Sequence, residues 1–79
     1  MNKPRPIYKI AEDISKDWGY NVNYGAKPYL QAMFTLCNID DYYHYDTADK
    51  VVRYFLANAR TWRGDTAKKI KTELKNLLK

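Results

Sequence analysis

The stretch from Thr47 to Leu78 constrains this chain more than any other, because two apolar stripes of helical period follow each other across a short hinge. Ala48, Val51, Val52, Phe55 and Ala59 recur at steps of three and four, one face of an α-helix. Asp46 or Thr47 is placed to cap that helix, and Asp49 falls where a carboxylate meets free backbone N–H groups and the positive end of the helix dipole. Ala67, Ile70, Leu74, Leu77 and Leu78 form the second stripe, with Trp62 and Thr66 in earlier turns. The hinge at 58–65 is too short for anything but two helices folding back on each other or crossing nearby.

The rest of the chain supplies two more helices. Ile7, Ile10, Ala11, Ile14 and Trp18 make a clean amphipathic face from Pro6, which suits a first helical turn, to Gly19, which suits the left-handed position after a helix. Pro28 opens another helix, over 27–36, that reads as apolar nearly all round and therefore as the most buried of the four. Residues 20–26 read as a loop, with a strand over 20–24 as an alternative that finds no evident partner. Residues 37–45 are the least regular part, where Asn38 can cap a single turn, Asp41 sits near its start and Ile39 anchors the segment.

The expected architecture is thus an all-α, compact single-domain bundle of four helices, near 6–18, 27–36, 47–59 and 61–78. Residues 1–5 form a loose arm and 6–79 the single helical domain. Ile10, Ile14, Trp18, Leu30, Met33, Val52, Phe55, Trp62, Ile70 and Leu74 are its expected core. The fourth helix has two possible starts. The stripe Trp62–Thr66–Ile70–Leu74 favours Thr61, while Gly64 followed by Asp65 and Thr66 favours Asp65; the stripe weighs slightly more.

A chain of 79 residues has room for one small core and none for a deep, enclosed cleft. His44 is the single histidine, flanked by Tyr43 and Tyr45, with no nucleophile motif around it. The single Cys37 excludes an internal disulfide and a thiolate metal site, fits a reducing compartment, and reads as a small buried apolar group. Asp40, Asp41, Asp46 and Asp49 do not make a calcium loop: counted from Asp40, the required Gly and Glu positions hold Tyr45 and Val51. The three glycines stand apart, so no phosphate loop is present. No enzymatic activity, cofactor or metal is expected. With no apolar run of signal-peptide or membrane-span length, the chain reads as soluble and cytoplasmic, without a membrane partner. Arg63–Gly64–Asp65 spells an integrin-binding tripeptide, a coincidence for a chain of that kind.

Charge is what remains to act with. Residues 38–49 carry four Asp and no Lys or Arg, net −4; residues 60–79 carry seven Lys or Arg against two acids, net +5, the same as the whole chain. Arg60, Arg63, Lys68, Lys71 and Lys75 can line a phosphate backbone without reading bases, since the fourth helix offers mainly Lys. The competing account is that Lys-rich faces only keep small helical proteins soluble. Tyr42, Tyr43 and Tyr45, with Tyr20 and Tyr24, form a second candidate surface, because Tyr in irregular segments gives large contact at low entropy cost. The same rings could instead lid a small core.

The segments PIYKIAEDISKDW, NYGAKPYLQAM and YFLANARTWRGDTAKKIKTELK resemble a family of small uncharacterised proteins from phages and mobile elements of Gram-positive bacteria. The resemblance runs from Pro6 to Leu78 and brings no catalytic residues with it. It implies a non-enzymatic accessory protein, acting in the bacterial host's cytoplasm, that binds and inhibits a host protein in the manner of anti-CRISPR and other anti-defence proteins. A CRISPR effector nuclease is one such partner. On that reading Tyr42, Tyr43, Tyr45, Arg60 and Arg63 are the expected anchors. The alternative is a nonspecific nucleic-acid-binding protein using the basic last helix. Oligomeric state stays open.

Overall fold

The computed structural model describes residues 5–43 and 46–78, without the side chains of Tyr20 and Tyr43. Four helices follow one another: α1 (Ile7–Trp18), α2 (Lys27–Met33), α3 (Ala48–Ala57) and α4 (Asp65–Leu77). A single 3₁₀ turn, Gly19–Asn21, trails α1, and two two-residue strands, β1 (Tyr42–Tyr43) and β2 (Asp46–Thr47), precede α3. The strands pair antiparallel, Tyr42 opposite Thr47 and Tyr43 opposite Asp46. Helix α1 packs on α2 and α4, and α3 also packs on α2 and α4, so the four close into one all-α bundle.

The stripes read from the sequence supply the interior. Ile10, Ile14, Trp18, Leu30, Met33, Val52, Phe55, Trp62, Ile70 and Leu74 are all buried, joined by Ile7, Leu36, Val51 and several alanines. Its centre is aromatic. Trp18 meets Phe55 edge-on at 6.1 Å between centroids and Trp62 nearly face to face, while Phe55 and Trp62 stand 6.4 Å apart at 67°. These three rings come from α1, α3 and the α3–α4 connection, so one cluster fixes three parts of the chain. Edge-on and offset pairs of this kind add about 0.5–1.5 kcal/mol beyond the area they bury.

Helix ends differ from expectation in ways with local causes. Helix α4 begins at Asp65, not Thr61. Gly64 sits at φ 116°, ψ 176°, a conformation open to glycine and incompatible with a continuing helix. Trp62 therefore belongs to no helical stripe, and Thr66 is exposed; Trp62 is buried because it lies on Trp18. Helix α2 stops at Met33, short of Leu36, because the backbone tightens: Thr35 and Leu36 N–H donate to the Ala32 and Met33 carbonyls, three residues back. Nor is α2 apolar all round or the most buried helix, since Lys27, Pro28 and Gln31 are exposed. Helix α1 starts at Ile7, with Pro6 just outside it. Its Ile7 and Tyr8 N–H groups donate to the Cys37 and Leu36 carbonyls at 2.9 Å, so the turn after α2 serves as the cap.

In the segment 37–41 the roles of cap and capped residue are reversed. The Asp41 carboxylate accepts from the Cys37 and Asn38 N–H groups, both at 2.9 Å, and the Asn38 side chain is not the cap. The bonds from Asn38 and then Cys37 hold the Asp41 carboxyl below its ordinary 3.8. Ile39 is half-buried against the core, as an anchor should be. Cys37, however, is exposed, not a buried apolar group. Arg5, read as part of a loose arm, bonds the Glu73 carboxylate at 2.7 and 2.9 Å and Asp13 at 2.5 Å, clasping α1 to α4. The other residues of that arm, 1–4, lie outside the described residues.

Candidate functional site

Among the described residues, the expected anchors Tyr42, Arg60 and Arg63 lie at opposite ends of α3. Tyr42 stands on the hairpin, 71% exposed, at the N-terminal end of α3. Arg60 and Arg63 are exposed in the connection that leaves the C-terminal end of α3. A ten-residue helix separates these two ends by about 15 Å. The Tyr43 side chain, His44 and Tyr45 lie outside the described residues, as does Lys79.

The basic tract holds together better. Lys68 and Lys75 are exposed on α4, Arg63 is exposed just before it, and Lys71 lies half-buried between them. The Lys71 ammonium donates to the Trp62 carbonyl at 2.6 Å and stands 5.8 Å from the centroid of the Trp62 ring. Burial, then the nearby charges of Lys75 and Arg63, push its pKa down. Lys75 and Arg63 are thus within electrostatic reach of one ammonium. Among the described residues, no carboxylate lies within ion-pair distance of Arg60, Arg63, Lys68, Lys71 or Lys75; the ion pairs present join Arg5 to Asp13 and Glu73, and Arg53 to Asp49. Lys71 nevertheless has a structural attachment that sequence periodicity did not reveal.

The opposite side of α4 is different. Between α1 and α4 runs a cavity of about 550 Å³ walled by Asp13, Lys16, Asp17, Lys69, Glu73 and their neighbours, with Arg5 across it. Three cations and three carboxylates line it, so it has no net charge to attract an ion of either sign. Asp17 is occupied there by the Trp62 indole N–H, 2.8 Å away.

Some exposed aromatic residues escaped sequence reading. Tyr54, 49% exposed, lies 5.4 Å from Tyr29 between ring centroids, forming a tilted pair across α2 and α3. The signal was available: Tyr54 falls outside the stripe Val51–Val52–Phe55 and must therefore face away from the core. Tyr24 is 88% exposed in the connection before α2, as a Tyr in a loop could be, while the Tyr20 side chain lies outside the described residues.

Among the described residues no group of His, Cys, Asp and Glu stands close enough to hold a metal ion, and no helix is long and apolar enough to cross a membrane. No protein-family model, curated protein or solved structure matches the chain.

Proposed function

We propose that this chain is a non-enzymatic accessory protein of a phage or mobile element that works by occupying a surface of a host protein, inhibiting it in the host cytoplasm. A CRISPR effector nuclease, with its acidic surfaces and bound guide RNA, is the kind of partner intended. The observation that carries the reading is the basic face itself: Arg63, Lys68, Lys71 and Lys75 gathered along one side of α4 with no carboxylate in ion-pair reach among the described residues. Unneutralised cations repel one another, and an anionic partner relieves that repulsion on binding. Of the two candidate surfaces, the one around Tyr42 and the basic tract, the weight of the reading rests on this face.

The second reading, nonspecific binding of nucleic acid, draws on the same lysines. Phosphates recur about every 3.4 Å along each strand of a duplex, a density that a row of helix lysines can meet without reading a base. The readings part in one experiment. Tagged protein is used to capture partners from a host lysate, with and without nuclease, beside the variant Lys68→Glu/Lys75→Glu, which leaves the Lys71 attachment intact. A stoichiometric protein that survives nuclease and is lost with the variant supports the inhibitor reading. Nucleic acid alone, or proteins lost with nuclease, supports the second. Capture unchanged by the variant overturns both as assignments to this face.

A further inference from the structure

Within the basic face one ammonium is held differently from the rest. The Lys71 Nζ donates to the Trp62 carbonyl at 2.6 Å and stands 5.8 Å from the centroid of the Trp62 ring, with the side chain half-buried. That carbonyl belongs to the peptide unit joining Trp62 to Arg63, so the bond brings the Lys71 ammonium against the backbone of Arg63. Lys75 follows Lys71 one helical turn later on the same side of α4. Arg63, Lys71 and Lys75 therefore converge from two parts of the chain, the connection and the helix.

The acids around α4 do not offset this convergence. Glu73 is bonded by Arg5, Asp17 accepts from the Trp62 indole N–H, and Asp65 makes no ion pair with any of the three cations. Burial first, and then the charges of Lys75 and Arg63, hold the Lys71 pKa down, with no carboxylate among the described residues acting against them. An ammonium has three N–H groups, and the Trp62 carbonyl takes one, which leaves two to donate. Because that bond fixes Lys71 in advance, an anion meets a donor already ordered, and only the exposed Arg63 and Lys75 side chains have to settle on it.

We infer that Arg63, Lys71 and Lys75 form a binding site for a phosphate dianion of the phosphomonoester kind. The inference rests on the reading of this face as one that receives an anionic partner, and it names the chemistry received best. A phosphomonoester brings about two negative charges and three acceptor oxygens on a single centre. The planar fork of Arg63 suits two of those oxygens, and the free N–H groups of Lys71 suit the third. A phosphodiester, with a single charge, leaves more of the repulsion among the three cations unrelieved, and a dicarboxylate spreads its charge over two centres.

The test titrates inorganic phosphate into the full chain at a pH of about 8.5, where the second ionisation of a phosphate is essentially complete. Dimethyl phosphate and malonate, at the same ionic strength, are the comparison anions. Binding is read from amide and lysine side-chain chemical shifts, and the Lys71 pKa from its side-chain signals as pH is raised with and without phosphate. The expected result is saturable shifts centred on Trp62, Arg63, Lys71 and Lys75, several-fold tighter for phosphate than for either comparison anion, and a rise in the Lys71 pKa. Arg63→Gln should weaken phosphate about two- to fivefold, the effect of losing one exposed charge pair. Lys69→Gln, on the α1 side of α4, should leave phosphate binding unchanged. Equal response to the three anions, shifts spread evenly over the lysines, or a Lys71 pKa that phosphate does not move would overturn the inference. The wider reading of the face fails separately, when capture from the lysate survives Lys68→Glu/Lys75→Glu.

Discussion

Trp62 lies flat on Trp18, their indole planes 13° apart and their ring centroids 5.5 Å apart. Trp62 is in no helix, yet it is gripped from both sides: its N–H donates to Asp17 on α1, and its carbonyl accepts from Lys71 on α4. One residue of the connection therefore sets how α3 and α4 lie against α1. Trp62→Ala should cost about 3–5 kcal/mol, a large part of the stability expected of a domain this size. Asp17→Ala removes only a partly exposed acceptor and should cost about 1 kcal/mol. Equal losses in urea denaturation would mean that the hydrogen bond, not the stacking, holds the connection.

Phe55 touches both indoles and is fully buried. Phe55→Ala should likewise cost about 3–5 kcal/mol, and Phe55→Leu much less, because it leaves a smaller void. Circular dichroism at room temperature should show the Ala variant largely unfolded and the Leu variant helical.

Gly64 has open space where a Cβ would be, so Gly64→Ala isolates the backbone penalty at φ 116°. That penalty is about 1–3 kcal/mol. Gly19, at φ 61° and also without neighbours within 4 Å, should behave in the same way. Because these sites lie in separate connections, the double variant should lose the sum, which thermal melts can check.

Two carboxylates give the fold an acid limit. Asp41 is lowered by the Asn38 and Cys37 N–H groups, and Asp49 first by the Thr47 hydroxyl, both from 3.8. A lowered folded-state pKa means that the native chain holds the charged form better than the unfolded chain does. The stabilisation is fully present above pH 3.8 and is lost as pH falls through the lower folded values. The melting temperature should drop on acidification below that point, and Asp41→Asn should flatten the drop.

Arg5 is substantially exposed, and salt screens exposed pairs. Arg5→Ala should therefore cost no more than about 1 kcal/mol at low salt and still less at high salt. A larger, salt-independent loss would show that the clasp holds α1 and α4 by packing.

The helices and the core were legible because they rest on periodicity, which is local: all ten residues named as the expected core are buried, although in the last stripe Thr66 is exposed and Leu77 and Leu78 are only half-buried. What escaped depended on partners distant in sequence. Trp62 fits an i, i+4 stripe with Thr66 and Ile70 as well as it fits a ring stacked on Trp18, and only the fold decides between them. Asn38 and Asp41 both suit a cap, and spacing alone does not say which accepts. The basic tract was visible as composition, but its division was not: Lys71 turns back to the Trp62 carbonyl, whereas Lys68 and Lys75 face outward. The Tyr segment and the basic tract were legible as two separate candidate surfaces, but the sequence did not say how far apart they lie; among the described residues, Tyr42 and the two Arg anchors stand at opposite ends of α3.

The clasp of Arg5 on Glu73 joins positions 68 residues apart, which places the first described residue beside the last helix. The order in which the helices are strung is thus separable from the way they pack. A chain rejoined across that clasp by a short linker and opened in one of the exposed connections would present the same four faces to one another. Such a circular permutant should reach the same core by a different route, with the α1–α4 contact changed from the most distant pairing in the chain to a neighbouring one.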